Sequence, residues 1–148
     1  MNEIMNFMGN DHDRLDGIFR EFQILKNKDL SKAKNLFSDF KSGLERHIVW
    51  EEEILFPVFE NRTGMRETGP TAVMRMEHRQ IEQYLGSIHD ALSRGDAQTD
   101  EFEGRLLEVL TAHNEKEENV LYPWIDDSVT EEERKQLLEK MTGGSARS

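Results

Sequence analysis

The chain of 148 residues has no cysteine, only three prolines, and fewer basic than acidic side chains. The absence of cysteine excludes disulfides, thiolate metal sites, cysteine-ligated iron–sulfur clusters and thiol catalysis. The scarcity of proline favours long helices, because proline interrupts a helix interior. A net charge of −11, from 19 basic and 30 acidic side chains, argues against binding to nucleic acid or to an anionic membrane surface.

Long hydrophobic runs are also absent. No stretch approaches the roughly 20 apolar residues that a membrane-spanning helix needs, and the N-terminus lacks the basic-then-apolar pattern of a signal peptide. The expected location is therefore cytoplasmic. With 36% hydrophobic and 33% charged residues, the chain has the composition of one soluble helical domain. We expect that domain to span residues 1–142 and a disordered tail to occupy residues 143–148.

Apolar residues recur every three to four positions in four long segments, which predicts four amphipathic helices with short connections. Such helices pack as an antiparallel up-down-up-down four-helix bundle, an all-α fold. After them, Thr130 and Glu133 form a capping-box pattern, which predicts a short fifth helix ending near Met141. The residues expected to face the core include Met8, Leu15, Phe19, Phe22, Leu36, Phe40, Leu44, Ile54, Met74, Ile81, Leu85, Ile88, Leu92, Phe102, Leu106, Leu110 and Val120.

One sequence pattern occurs twice, 66 residues apart. The first copy begins at His47 and the second at His113; each has a Glu four residues after the His, then an aliphatic pair, an aromatic residue and a proline. The same offset relates His12 to His78. The proline of the first copy, Pro57, has no amide hydrogen and is expected to kink or end its helix. The repeat predicts two similar helical hairpins related by an approximate two-fold axis.

The repeat puts ionisable side chains on helix faces that are otherwise apolar. A His and a Glu four residues apart share one helix face, and a rise of about 1.5 Å per residue brings all four repeat histidines to one level of the bundle. Burying such groups without partners would cost several kcal/mol for each charged group. The pattern therefore predicts a metal site. Its ligands would be His12, His47, Glu51, His78, His113 and Glu117.

These ligand types restrict the metal. Imidazole with carboxylate suits iron, manganese or zinc, whereas magnesium and calcium prefer all-oxygen sites. Six ligands are too many for one tetrahedral zinc. Two octahedral ions could use the imidazoles, two bridging glutamates and an oxo or hydroxo bridge, which leaves two positions open for a small diatomic molecule or peroxide. We expect two iron ions per chain with an oxo or hydroxo bridge, with manganese and zinc as the alternatives.

In this order and spacing, the residues resemble the hemerythrin-like, or HHE cation-binding, domains over about residues 4–124. The resemblance implies a four-helix bundle with a non-haem di-iron centre, in which the four repeat histidines are terminal ligands and Glu51 and Glu117 are bridges. Two positions depart from the oxygen-carrying members. Met74 stands where they have a fifth His, which weakens the case for oxygen carriage. They also place a carboxylate five residues after the last His, here Glu118, whereas the repeat selects Glu117.

Three functions are compatible with such a site. The preferred one is a protein that binds or senses O2 or NO, or that holds iron, because only two carboxylates are available to stabilise ferric iron. The alternative is a di-iron enzyme acting on peroxide, or in repair or defence under oxidative or nitrosative stress; no acid–base residue beyond the ligands supports it. The third is a metal-loaded structural domain that contacts a protein partner through the fifth helix.

Several carboxylates near the predicted ligands are expected to be solvated. They are Asp11, Asp13, Asp16, Glu77 and Glu82. Asp11, Asp13 and Glu77 are sequence neighbours of site histidines but point about 100° away around the helix, so the alternative to solvation is contact with an imidazole of a neighbouring helix. Asp16 and Glu82 each follow a site His by four residues, and the alternative for them is a role as additional ligands or as hydrogen-bond acceptors of the imidazoles. His89 is about 16 Å from His78 along its helix, which places it outside the site. Tyr122 is expected to pack in the core or to shield the site.

Overall fold

The computed structural model describes residues 2–147, with side chains for residues 2–143. In this part of the chain all regular structure is helical and no strand occurs, which confirms the all-α prediction. None of these helices has both the length and the hydropathy that crossing a bilayer requires. The helices are α1 Glu3–Leu25, α2 Leu30–Trp50, π1 Glu51–Leu55, α3 Phe56–Thr63, α4 Pro70–Ser93, α5 Asp100–Lys116, π2 Glu117–Leu121, α6 Tyr122–Ser128 and α7 Glu131–Arg147.

Two helical hairpins form the bundle. In the first, Phe19 packs on Phe40 with ring centroids 4.7 Å apart, and Phe22 packs on Phe37 at 5.3 Å. Residue numbers therefore rise along α1 as they fall along α2, so the two helices are antiparallel. In the second hairpin α4 packs against α5 across the short turn at residues 94–99. The predicted helical bundle with an additional C-terminal helix is confirmed.

The connection between the hairpins, residues 64–69, depends on two glycines with positive φ. Gly64 ends α3 at φ 74°, and Gly69 precedes α4 at φ 91°. A side chain is disfavoured in this backbone region, which glycine adopts freely. Pro70 then occupies the first turn of α4, where its missing amide hydrogen is not needed. The connection thus ends one hairpin and starts the next.

Two apolar clusters fill the bundle, one on each side of the level that the repeat histidines occupy. The cluster toward the hairpin turns includes Leu15, Phe19, Phe22, Phe37, Phe40, Leu44, Ile81, Leu85, Leu106 and Leu110. The cluster on the other side includes Ile4, Met8, Leu55, Phe56, Met74, Leu121, Tyr122, Ile125 and Met141. The polar layer between them is therefore shielded from water on both sides.

The two π-helical turns shift the inward-facing positions by one residue. Val120 was expected in the core but is 58% exposed, and Leu121 is buried in its place. In the first repeat Ile54 is only partly buried, whereas Leu55 is fully buried. A π-helical turn adds a residue relative to α-helical spacing, so a pattern counted in steps of three and four selects the wrong residue beyond it. The prediction of Val120 as a core residue is wrong for this reason.

Pro57 does not end the second helix, because helical backbone continues through α3 to Thr63. The helix changes geometry earlier, at Glu51, where π1 begins. Pro57 cannot donate an amide hydrogen to the carbonyl of Glu52, five residues before it. Instead Arg75 Nη2 donates to that carbonyl at 3.2 Å. A side chain of the second hairpin thus supplies the hydrogen bond that the proline cannot.

The start of α5 also departs from prediction. Phe102, expected in the core, is 37% exposed, whereas Glu103 is buried. Lys26 pairs with both Glu103 and Asp100. Burial alone would lower the pKa of Lys26, but hydrogen bonds to the two carboxylates outweigh it and raise that pKa. The buried Glu103 carboxylate is thus paired with the Lys26 ammonium group, and a buried charge is tolerated when it is paired in this way.

The capping box of α7 is present. The Glu133 amide donates to Thr130 Oγ1 at 3.1 Å, and the Thr130 amide donates to Glu133 Oε1 at 2.9 Å. The helix continues to Arg147 instead of ending near Met141. The predicted tail, residues 143–148, overlaps its last turns, and Ser148 lies outside the described residues. Disorder of that tail and a domain of residues 1–142 stay predictions.

Candidate metal centre

All six predicted ligand residues lie in one buried layer, and none of their side chains is more than 3% exposed. The histidines are contributed by the four long helices. Glu51 is the first residue of π1 and Glu117 the first residue of π2, so each π-helical turn begins at a carboxylate of the layer. The structure therefore brings together His12, His47, Glu51, His78, His113 and Glu117.

The donor atoms of this layer form two groups that share one carboxylate. Within each group the atoms lie within 4.8 Å of one another; the groups are Glu51, His78, His113 and Glu117, and His12, His47 and Glu117. Glu51 also faces both sides, because its Oε1 is 2.9 Å from His78 Nε2 and its Oε2 is 3.7 Å from His47 Nε2. The layer thus provides two adjacent places in which a cation could be held.

One atom of the shared carboxylate has no hydrogen-bond partner among the described residues. Glu117 Oε2 is buried and lies 3.1 Å from His113 Nε2, but not in hydrogen-bonding geometry. An unsatisfied buried acceptor costs roughly 1–3 kcal/mol, and more when it is charged. A cation beside Glu117 would remove that cost, and a set of imidazole and carboxylate donors suits iron, manganese or zinc. The residues of the layer fit a metal.

Each imidazole of the layer is hydrogen-bonded through Nδ1 to a carboxylate outside it. The pairs are His12 with Glu118 at 2.6 Å, His47 with Asp11 at 2.8 Å, His78 with Glu52 at 2.6 Å and His113 with Glu77 at 2.9 Å. These outer carboxylates follow the same 66-residue repeat as the ligands. Such partners fix the tautomer that leaves Nε2 facing the centre, and they raise the basicity of the imidazole.

The interpretation of Asp11 and Glu77 as solvated residues is wrong. Each points away from the histidine beside it in sequence but reaches an imidazole on the neighbouring helix. The available signal was the repeat, since both residues precede a predicted ligand by one position. Asp13 and Glu82 are exposed, and Asp16 is half-buried, with burial raising the pKa of its carboxyl. His89 is exposed and outside the centre, as expected.

The outer carboxylates of His12 and His78 differ in their surroundings. Glu52, which bonds His78, is 17% exposed and pairs with Arg79 at 2.9 Å. Glu118, which bonds His12, is 42% exposed, and no lysine or arginine in the described part of the chain pairs with it. A cavity of about 170 Å³ reaches the His12 side; its lining includes His12, Asp13, Asp16, Glu115 and Glu118. The His12 side is therefore the more open and the more acidic of the two.

Tyr122 distinguishes the second copy of the repeat from the first. Its hydroxyl oxygen is 2.6 Å from Glu51 Oε2, 3.0 Å from Glu117 Oε1, 3.2 Å from His47 Nε2 and 3.4 Å from His12 Nε2. Its counterpart in the repeat is Phe56, which stacks on His78 with centroids 5.7 Å apart and an interplanar angle of 7°. Tyr122 was expected to pack in the core or shield the site, and its direct contacts with the predicted ligands were missed.

Ion pairs between imidazoles and carboxylates join the side chains of the centre. Burial disfavours a charged His47, but the charge of Glu51 and the hydrogen bond to Asp11 outweigh it and raise the pKa of His47 to about 10. Burial opposes the charging of His113 as well, yet Glu117 raises the pKa of this imidazole to about 11. Burial would raise the pKa of Glu51, but its hydrogen bonds and the nearby imidazolium charges hold it well below the ordinary value. Protons on the imidazoles therefore balance the carboxylates.

A second cavity, of about 320 Å³, lies between the start of α4 and π2. It is lined by Gly69, Pro70, Val73, Met74, Lys116, Val120 and Leu121. Met74 is 2% exposed and belongs to the apolar cluster next to the centre. It packs there as predicted for an apolar residue, at the position where the oxygen-carrying proteins have their additional His.

Comparison with known proteins identifies the family. The sequence model described as the Hemerythrin HHE cation binding domain matches residues 3–125. Among curated proteins, the chain is similar to the iron-sulfur cluster repair protein YtfE of Edwardsiella ictaluri (strain 93-146), with 43% identity over 56 residues. That match spans 38% of this chain and a quarter, 25%, of the relative. No solved structure matches the chain. Because the family match covers most of the chain and all six residues of the buried layer, the protein belongs to the hemerythrin HHE cation-binding domain family.

Proposed function

We propose that this protein is a non-haem di-iron protein whose centre binds or senses a small molecule, O2 or NO. The observation that carries the proposal is the sharing of Glu117 by two buried donor groups. A carboxylate shared by two sets of imidazoles could bind two ions, one with each set. The family and the donor types favour iron as the metal of that pair.

Each residue would have a defined role toward the metal pair. His12 and His47 would hold one ion and His78 and His113 the other, with Glu51 and Glu117 between them. The iron pair would supply reversible redox chemistry toward a small molecule. The chain itself keeps the imidazoles oriented through their Nδ1–H···carboxylate bonds and keeps water away through the two apolar clusters.

A second candidate is iron delivery or repair under oxidative or nitrosative stress. It is favoured by the similarity to the iron-sulfur cluster repair protein YtfE, over a quarter of that protein. Such a role requires iron to leave the centre for an acceptor, whereas binding or sensing requires iron to stay. The two functions therefore differ in a measurable property, the retention of iron after reaction with O2 or NO.

The proposal is tested by loading the protein anaerobically with Fe(II) and then admitting air while the visible spectrum is recorded. We expect two irons per chain and charge-transfer bands of bridged ferric iron. Both should be lost in His47→Ala and Glu117→Ala, because each variant removes a buried donor of the layer. The matched control is His89→Ala, which alters an exposed histidine outside the centre and should leave the spectrum unchanged.

The same preparation separates the candidate functions. Return of the reduced spectrum under vacuum supports reversible binding, whereas transfer of iron to an added chelator after exposure to NO supports delivery. Turnover of H2O2 at a rate abolished by Glu117→Ala would favour the peroxide-consuming alternative. A colourless protein that retains a single zinc ion would contradict the di-iron proposal altogether.

A further inference from the structure

The two donor groups of the centre differ in size. The group around His78 and His113 has four donors, with Oε1 of Glu51 at 2.9 Å and 4.0 Å from the two imidazole Nε2 atoms. Within the part of the chain that the structure describes, the group around His12 and His47 has three members when His, Asp and Glu alone are considered. The oxygen that stands in the corresponding position of the smaller group belongs to Tyr122.

We propose that the Tyr122 hydroxyl oxygen is the fourth ligand of the His12–His47–Glu117 group, which makes the two metal positions chemically different. This inference rests on the di-iron function proposed above and assigns a further residue to it. The Tyr122 oxygen is 3.2 Å and 3.4 Å from the two imidazole Nε2 atoms and 3.0 Å from Glu117 Oε1. The corresponding distances from Glu51 Oε1 to the imidazole Nε2 atoms of His78 and His113 are 2.9 Å and 4.0 Å, so each pair of imidazoles has one such oxygen beside it.

The backbone holds Tyr122 in this place. A π-helical turn bonds residue i to residue i+5, and the Tyr122 amide donates to the carbonyl of Glu117, the first residue of π2. The ring is fully buried in the apolar cluster beside the centre. The first repeat has the same backbone arrangement, in which the Phe56 amide donates to the Glu51 carbonyl, but its ring has no hydroxyl. Phe56 is therefore the comparison residue for Tyr122, because it has the same backbone arrangement without the hydroxyl group.

Coordination by Tyr122 changes the charge at one position only. In the metal-free centre the phenol donates its hydrogen to Glu51 Oε2 at 2.6 Å. On coordination the O–H bond breaks, the proton is released to solvent, and a lone pair of the phenolate oxygen binds the ion. The chain then contributes three negative charges from Glu51, Glu117 and Tyr122. The extra charge favours the ferric state at the His12–His47 position over the His78–His113 position.

Resonance Raman spectroscopy of the air-oxidised, iron-loaded protein tests the inference. An iron-bound phenolate gives a charge-transfer band in the visible region and enhanced phenolate ring vibrations when excited there. We expect these vibrations in the wild type, and their loss in Tyr122→Phe, which converts the residue into its repeat counterpart. Only one other tyrosine, Tyr84, occurs in the chain, and it lies on α4 against the other apolar cluster. Tyr84→Phe is thus the matched control and should retain the vibrations.

A titration with Zn(II), which is redox-inactive, provides a second measurement. We expect Tyr122→Phe to weaken one of the two positions by about tenfold or more, since loss of a partner merely hydrogen-bonded to a ligand already costs tenfold to a hundredfold. A wild type with two irons and no phenolate vibrations would overturn the inference and leave the di-iron function standing. Vibrations that survive Tyr122→Phe would also overturn it. A wild type that binds no iron would overturn the proposed function, and the tyrosine ligand with it.

Discussion

The two halves of the centre present predicted ligands of the same types, histidine and glutamate, in different surroundings. One half, around His12 and His47, has a phenol hydroxyl among its donors and an outer carboxylate that is 42% exposed. The other, around His78 and His113, has a phenyl ring in the equivalent place, and its outer carboxylate Glu52 forms an ion pair with Arg79. The repeat therefore keeps the donors and their hydrogen-bond partners, while a few unmatched residues distinguish the two positions.

A second comparison shows how the centre differs from a buried ion pair elsewhere in the bundle. At the start of α5 the buried Glu103 is paired with Lys26, a cation of the chain itself. In the centre, Glu51 and Glu117 are buried beside imidazoles and the Tyr122 hydroxyl, and the imidazoles can balance their charge by taking up protons. A neutral imidazole has a lone pair and is a common metal ligand in proteins, whereas a lysine side chain in its ammonium form has no lone pair to offer a metal ion. The Lys26–Glu103 cluster is therefore a structural ion pair, whereas the cluster of imidazoles and carboxylates has donors that could bind a cation.

The largest effect is expected from substitution of the shared carboxylate. Glu117→Ala removes a donor from both groups, and we expect iron content to fall close to zero. Glu51→Ala leaves the His12–His47–Glu117 group intact, and we expect about one iron per chain to remain. Metal analysis after anaerobic loading and desalting measures the difference. Equal iron contents in the two variants would contradict the unequal sharing of the two carboxylates.

The next effect concerns the outer carboxylates. Glu52→Gln is expected to weaken Zn(II) binding by about tenfold to a hundredfold, the range typical for loss of such a partner. Glu118→Gln should cost less, because water can replace a carboxylate that is already 42% exposed. Competition with a chelator of known affinity measures both. An equal or larger loss of Zn(II) affinity for Glu118→Gln would show that solvent exposure does not determine how much Glu52 and Glu118 contribute to that affinity.

The dependence of stability on pH is expected to differ between the protein without metal and the protein loaded with Zn(II). The folded-state pKa of His47 is raised to about 10 from 6.5, and that of His113 to about 11 from 6.5. Their contribution to stability is therefore complete below about pH 6.5 and is lost as the pH rises through 10 and 11. The lowered pKa of Glu51 adds stability above about pH 4.5, which is lost as the pH falls.

Metal binding must displace the protons from these imidazoles, so the gain in stability on adding Zn(II) should increase from pH 6 toward pH 9. Thermal unfolding of both forms across this range provides the measurement. A melting temperature of the metal-free protein that rises over the same range would contradict the ion-pair description of the centre.

The smallest effect is expected from Arg79→Ala. Arg79 is 61% exposed, so its ion pair with Glu52 is screened by solvent, and the loss of stability should be about 0–1 kcal/mol. Removal of this positive charge should instead accelerate Fe(II) uptake a few-fold at low ionic strength by making the His78 side resemble the acidic His12 side. Arg105→Ala, another exposed arginine in an ion pair, is the control and should leave the uptake rate unchanged.

The layer of six residues was predictable because its signal is local and repeated. His47 and Glu51 share a helix face, and the 66-residue offset transfers that relation to His113 and Glu117. The bundle followed from apolar spacing, and the hairpin loops were short enough to require antiparallel neighbours. The prediction worked where each helix obeys ordinary α-helical geometry.

The remaining features depend on departures from that geometry. The π-helical turns leave no signature in side-chain spacing, so Val120 was placed inside and Leu121 was missed. The same turns place Tyr122 one π-helical turn after Glu117, on the same side of the helix. With α-helical spacing, Tyr122 would point in a different direction. The hydrogen bonds of Asp11 and Glu77 join neighbouring helices, and a single-helix projection does not show them. The contacts of Tyr122, Asp11 and Glu77 depend on how the helices pack and on the changed number of residues per turn in the π-helical segments, not on residue type.

We propose that one buried layer holds two ions, one on each side of Glu117. The most direct measurement is an anomalous difference map recorded at the iron absorption edge from crystals of the anaerobically loaded protein. We expect two peaks between the apolar clusters, one beside His12 and His47 and one beside His78 and His113. A single peak, or peaks outside this layer, would contradict it.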